Sequence, residues 1–248
     1  MPSDQQREAP RSRPQGSPVM LQRWSRLLFL HWDIPAESLI NTLPSGLHLD
    51  TFKDRSYLGI VPFSMEKIRP RFLPPVPGLS WFHELNLRTY VYDEQGRPGV
   101  WFYSLDANQP IAVEFARKFF HLPYQHAKIK VQQEGPCIDY RSHRAKTDEE
   151  ARYKYRGTGE TLTAQAGTLE FFLLERYLLF STNKRGKLKV GQVHHRPYPF
   201  QLATCSRPSL LPFKWNQFPT PKEAPISALY SSGVDVEIFP LRPASSYS

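Results

Sequence analysis

Proline constrains this chain more than any other residue type. Its 248 residues include 24 prolines, nearly twice the usual ~5%. A proline has no backbone donor and clashes with the preceding helical turn, so it breaks helix interiors. In sheets it is confined to edges, strand ends and bulges. Long helical bundles are therefore excluded, and many loops are required. A chain of this length buries roughly 70–75% of its unfolded surface and needs no metal or disulfide staple. Hydrophobic residues at 40% and charged residues at 22% exclude disorder of the whole chain. The longest apolar runs, Leu27–Leu30 and Phe171–Leu174, fall far short of the ~20 residues that cross a bilayer. No secretory signal is evident, so the reading is a cytoplasmic protein without a membrane partner.

Along the chain, residues 1–19 are polar and rich in Pro, Ser, Gln and Arg, which reads as a disordered arm. Met20 offers an alternative start. A single domain is expected over residues 20–242, followed by a flexible tail at 243–248. Strands are expected at Arg26–Asp33, Ser56–Met65, Trp81–Tyr92, Gly99–Asp106, Ala127–Gln133, Ile138–Lys146, Tyr177–Thr182, Lys187–His194 and Val234–Leu241. Pro62 implies an edge or a bulge in its strand. Short helices are expected at Pro35–Leu43, Ile111–Phe120 and Leu169–Glu175. The stretch Arg69–Gly78 holds Pro70, Pro74, Pro75 and Pro77; it cannot be regular and should cover something. The pattern is a β-dominated α+β domain.

Most familiar chemistries are excluded by their spacing. Gly186-Lys187 is followed by Leu188, which fails the P-loop. Gly157-x-Gly159 lacks the third glycine of a dinucleotide fingerprint, and His83-Glu84 is followed by Leu87 where a zincin needs histidine. Cys137 and Cys205 match no zinc or redox spacing and read as unpaired thiols. No metal or cofactor is expected. The net charge of +9 raises anionic partners. Basic residues are spread along the chain, and the densest cluster, Lys184, Arg185, Lys187 and Lys189, surrounds a turn. Nucleic acid is not expected.

One strand rises above this background. Side chains alternate along Trp81–Tyr92, so His83, Leu85, Leu87, Thr89 and Val91 share one face. Phe82, Glu84, Asn86, Arg88 and Tyr90 share the other. That second face is either a solvated surface or the wall of a polar ligand cavity, in which buried Glu84 and Arg88 would pair.

Five segments carry a resemblance: F-H-E-L-N-L-R-T-Y-V (Phe82–Val91), P-G-V-W-F-Y-S-L-D-A (Pro98–Ala107), A-R-K-F-F-H-L-P-Y (Ala116–Tyr124), E-R-Y-L-L-F (Glu175–Phe180) and G-V-D-V-E-I-F-P-L (Gly233–Leu241). In this order they resemble the YqjF-like family of uncharacterised bacterial proteins, from about Met20 to Leu241. The resemblance implies an acetoacetate-decarboxylase-like fold, a mostly antiparallel β cone or barrel whose interior is a cavity. It also turns Glu84, Asn86 and Arg88 toward that cavity. Acetoacetate decarboxylases form a Schiff base through a lysine paired with a second lysine after a proline. Here Pro123 is followed by Tyr124 and Gln125, neither of which forms an imine, and Lys118 lies on the preceding helix.

Three functions follow as expectations. The first is a protein that binds or transforms a small carboxylate or carbonyl compound without a Schiff-base lysine. Glu84, Arg88 and Tyr124 are its candidate catalytic groups, and Asn86, Tyr103, Asp106 and Arg117 its candidate ligand contacts. If it is an enzyme, the activity is lyase-like or hydrolytic. The second is a non-catalytic interaction protein whose basic surface meets an acidic partner, and the third a Schiff-base lyase using Lys118 or another lysine. Homo-oligomerisation is left open.

Overall fold

The computed structural model describes residues 1–246. Thirteen strands follow in chain order: β1 (Met20–Ile34), β2 (Leu47–Leu49), β3 (Ser56–Pro70), β4 (Phe82–Asp93), β5 (Pro98–Ala107), β6 (Tyr124–Glu134), β7 (Cys137–Arg144), β8 (Glu150–Thr163), β9 (Leu178–Thr182), β10 (Leu188–His195), β11 (Pro199–Ser206), β12 (Ser227–Ile238) and β13 (Arg242–Pro243). One short α-helix precedes them and four interrupt them, the longest being Pro110–Phe119. The α+β class is therefore as expected, with a predominantly antiparallel sheet. The pairings of β5 with β6 and with β9 are parallel.

The hydrogen-bonding pattern closes the sheet twice. One ring runs β4–β5–β9–β10–β12–β1–β3; a second runs β4–β5–β6–β7–β8–β11–β12–β1–β3. Strands β12, β1, β3, β4 and β5 belong to both and form a common wall. Period-two alternation then sends neighbouring residues of that wall into different barrels. Leu28, Leu30, Ile60, Leu85 and Leu87 meet Tyr140, Tyr153 and Tyr155 in the packed core of the second ring. Leu27, Phe29, Val61, Phe63 and Phe82 face the first.

Pro62 sits in a central strand, but opposite a bulge. The β1–β3 register jumps from Ser25↔Ser64 to Leu30↔Ile60, setting four residues of β1 against three of β3. Arg26 at the bulge has φ +53°. The strand therefore tolerates a residue that has no N–H to offer.

Several boundaries moved. Strand β1 begins at Met20, ahead of the expected Arg26, and the helix expected at Pro35–Leu43 shrinks to Glu37–Ile40. Strands β8 and β11 were not anticipated, although Ala151, Tyr153 and Tyr155 alternate as buried residues with exposed Arg152, Lys154 and Arg156. Residues 1–19, read as a disordered arm, lie along the domain. Ser3 caps a one-turn helix, Asp4–Glu8, and Arg7 donates to Asp50 Oδ1 at 2.7 Å. Arg13 donates to Glu237. The physical reason is charge: Asp50 is fully buried and draws two cations, Arg7 and Arg176. In the tail expected to be flexible, Pro243 pairs with Lys189 and the Ala244 carbonyl accepts from Arg97. Residues 247–248 lie outside the described residues.

Candidate functional site

The second ring is filled by side chains, while the first is hollow. It encloses a cavity of about 540 Å³, to which each of its seven strands contributes, among them Phe29, Phe63, Glu84, Phe102, Leu179, Val193 and Ile238. The size is ordinary for a small-molecule site. The expectation of a polar cavity needs correction. Most of the wall is aliphatic or aromatic, and polarity is concentrated on strand β4 and on Tyr124.

Strand β4 supplies that polarity. Glu84, Asn86 and Arg88 line the cavity, as does Tyr124 at the start of β6. Tyr124 reaches the same space because β6 pairs in parallel with the end of β5, Leu105↔Tyr124. The Tyr124 hydroxyl donates to Glu84 Oε2 at 2.6 Å, and Asn86 Nδ2 donates to Oε1 at 3.3 Å. Burial is the largest influence on Glu84 and lifts its carboxyl to about 7, against the two hydrogen bonds that favour the anion. The same burial, with the adjacent carboxylate, pushes the Tyr124 phenol well above its ordinary value. A carboxyl that titrates near neutrality and holds a phenolic proton can both donate and accept protons.

Arg88 is the unusual member. It is 9% exposed, and Nη2 donates only to the Leu173 carbonyl, at 3.2 Å. Nε is buried without a partner. The guanidinium lies 5.5 Å from the Phe29 ring centroid and 5.7 Å from that of Tyr90. No carboxylate among the described residues forms a salt bridge with it. The expected Glu84–Arg88 ion pair is thus not formed, because Glu84 turns to Tyr124 and Asn86. A buried cation without an anion is costly. Asn86 Oδ1 is likewise buried and unpartnered.

Behind Arg88 the register is His31↔Gly59↔Arg88 across β1, β3 and β4. A Cβ on Gly59 would lie 3.0 Å from His31 Cδ2, tight enough to press on the His31 ring, and 3.7 Å from Arg88 Cγ, an ordinary contact. His31 Nε2 and the Tyr90 hydroxyl lie 2.6 Å apart, and Tyr90 donates to the same Leu173 carbonyl. Burial, then the nearby Arg88 charge, pushes the His31 pKa well down, so this support stays neutral.

Three sequence candidates lie elsewhere. Asp106 pairs with Leu85, whose side chain belongs to the second ring. It therefore points away from the cavity and meets Arg144 at 2.8 Å. Tyr103 packs on Phe218, and its hydroxyl is 2.6 Å from that of Thr42. A register shift between Leu87 and Arg88 sets Phe102 opposite Arg88, so Phe102 takes the cavity position. Arg117 donates to the Tyr124 carbonyl and to Glu114, outside the lining. Alternation in β5 reads equally well in either phase, and only the bulge settles it.

Other lining residues escaped the sequence reading, including Trp24 and Tyr198. Tyr198, flanked by two prolines, gives no periodic signal. The loop expected to cover something does so: Leu73, Pro74 and Val76 stand at the cavity, opposite Ile111, Ala112, Phe115 and Ala116 of the helix Pro110–Phe119. No lysine is among the lining residues, and Lys118 is exposed. Among the described residues, no group of three or more His, Cys, Asp or Glu side chains is placed to hold a metal. No helix among them is long and apolar enough to cross a membrane.

The fold is acetoacetate-decarboxylase-like, as its likeness to solved structures shows. Among solved structures, the enduracididine biosynthesis enzyme MppR complexed with pyruvate superimposes with a TM-score of 0.65 at 13% identity, over 94% of this chain and 93% of that one. The acetoacetate decarboxylase of Legionella pneumophila gives 0.63 at 15%, over 94% and 91%. An acetoacetate decarboxylase-like enzyme from Sphingomonas wittichii RW1 gives 0.61 at 11%, over 92% and 94%. At such identities the likeness establishes the fold alone. The chain itself belongs to the family DUF2071, described as an uncharacterized conserved protein, which matches residues 21–235. It is 43% identical over 192 residues to the uncharacterized protein YqjF of Bacillus subtilis (strain 168), covering 77% of this chain and 78% of that protein.

Proposed function

We propose that this protein binds a small carboxylate or carbonyl compound in the hollow barrel and acts on it by proton transfer without an imine. The observation that carries this reading is the buried, anion-less guanidinium of Arg88 on the same cavity-lining strand face as Glu84. A ligand carboxylate supplies the missing anion, and a charge-assisted pair with arginine is among the stronger hydrogen-bonded contacts. A carbonyl oxygen beside Glu84 and Asn86 receives a proton or hydrogen bond. As carboxylate, Glu84 removes a proton from the adjacent carbon, with Tyr124 holding it in place. The similarly folded MppR, solved in complex with pyruvate, supports the choice of an oxo acid as probe.

The test is calorimetric titration of short oxo acids, with the matching alcohols as controls, into wild type and Arg88→Met. Saturable binding of the acids to wild type, lost in the variant while its circular dichroism is unchanged, is the expected result. Equal binding to both proteins sinks the proposal. Borohydride treatment with an oxo acid should leave no covalent adduct; an adduct would reinstate a lysine mechanism.

A further inference from the structure

The cavity is long in one direction, and its polarity is graded along it. Strand β4 crosses the lining with Arg88, Asn86, Glu84 and Phe82. At about 3.3 Å per residue, the four span about 20 Å of strand. In register, Phe82 lies beside Met65 of β3, which lies beside Trp24 of β1, and all three line the cavity. Beyond Phe82 the wall is formed by Ile68, Leu79 and the helix residues Ala112 and Ala116. Past the Glu84–Tyr124 pair, the lining is apolar apart from Gln22 and Ser80.

The apolar lining continues onto the outside of the molecule. Leu73, Ile111 and Phe115 all line the cavity, yet Leu73 is 57% exposed and Ile111 66%. Phe72, next to Leu73, is 86% exposed. A compound the size of acetoacetate would fill the polar end alone and leave the long apolar wall empty.

We infer that the natural ligand is an elongated amphipathic acid. Its carboxylate sits at Arg88, an oxygen function beside Glu84, Asn86 and Tyr124, and an acyl or other apolar tail runs along Phe82 and Met65 toward the mouth between the proline-rich loop and the helix Pro110–Phe119. This rests on the carboxylate reading above and adds the chain. The small residues Ala112 and Ala116 set how long a tail fits, because any larger side chain there projects into its path.

The experiment is a calorimetric chain-length series on the full chain, with saturated carboxylic acids from four to twelve carbons and the 1-alkanols of matching length. Burial of each methylene should tighten binding about fourfold, up to a limit set by the mouth. Ala116→Trp should move the optimum to a shorter acid. Acid binding that needs Arg88 but does not vary with length overturns the tail and leaves the carboxylate reading intact. Equal, length-dependent binding of acids and alcohols keeps the tail and removes the carboxylate reading. Absence of binding by every member of both series overturns the tail while leaving the carboxylate reading to the oxo-acid titration, and an optimum unmoved in Ala116→Trp overturns the assigned path.

Discussion

The Tyr124 hydroxyl donates to Glu84 Oε2 at 2.6 Å across the cavity wall, and each group moves the other's protonation. Tyr124 favours the Glu84 anion, while the carboxylate disfavours loss of the Tyr124 proton. Tyr124→Phe removes a donor from a buried carboxylate. Its titration, followed by the infrared carbonyl stretch, should move upward from the wild-type midpoint near 7. An unchanged or lower midpoint would mean that the bond does not hold the anion.

Glu84 also makes stability depend on pH in a defined sense. Its carboxyl titrates near 7 when folded against an ordinary 4.5. Between those values the unfolded chain is ionised and the native chain is not, so unfolding releases a proton. Stability therefore falls as pH rises from about 4.5 to 7 and is level above, by up to about 3 kcal/mol. Glu84→Gln lacks that fall. Urea denaturation at pH 5 and pH 8 should show the variant gaining on wild type at the higher pH, and parallel profiles would contradict the assignment.

Arg88 is retained at a cost to stability. Replacing a buried, unpaired cation by an apolar side chain of similar length removes its desolvation penalty and loses the bond to the Leu173 carbonyl. Arg88→Met without ligand should therefore be neutral to about 2 kcal/mol more stable. A loss of several kcal/mol on denaturation would show that the guanidinium is primarily structural.

Asp106 has the opposite character. It is fully buried, holds Arg144 at 2.8 Å, and that guanidinium lies 4.4 Å from the Trp215 ring centroid. Burial lifts the Asp106 carboxyl to about 6 in spite of Arg144. Asp106→Asn leaves a buried charge unpaired and should cost about 3 kcal/mol, with ligand affinity retained in the folded fraction. Loss of affinity in the folded protein would bring Asp106 back to the site.

The arm makes a separate prediction. Arg7 and Arg176 share the Asp50 carboxylate, and both guanidinium groups lie against the Phe172 ring, at 5.1 and 4.2 Å from its centroid. Arg7→Ala leaves Arg176 in place, so the loss should be about 1–2 kcal/mol rather than the full cost of an orphaned buried carboxylate. Amide exchange in Leu169–Leu174 should rise with it. Wild-type stability and exchange would mean that the arm is held by nothing at Asp50.

The sequence by itself determined the β-rich class through its prolines and alternating runs, and it determined the face shared by Glu84, Asn86 and Arg88, because a strand has period two whatever surrounds it. The absence of a lysine pair after Pro123 was equally plain in the order of residues. It did not determine that the face is enclosed, since one alternating strand reads alike against water or a cavity. Tertiary structure decided this by closing the sheet twice, filling one ring with Tyr140, Tyr153 and Tyr155 and leaving the other hollow. It also decided which phase of β5 faces inward, because the bulge beside Arg88 exchanges Tyr103 for Phe102. Most consequentially, it left Arg88 without the Glu84 partner that spacing suggests. Ion pairing depends on side-chain direction in three dimensions, and Tyr124, forty residues away in sequence, holds the carboxylate.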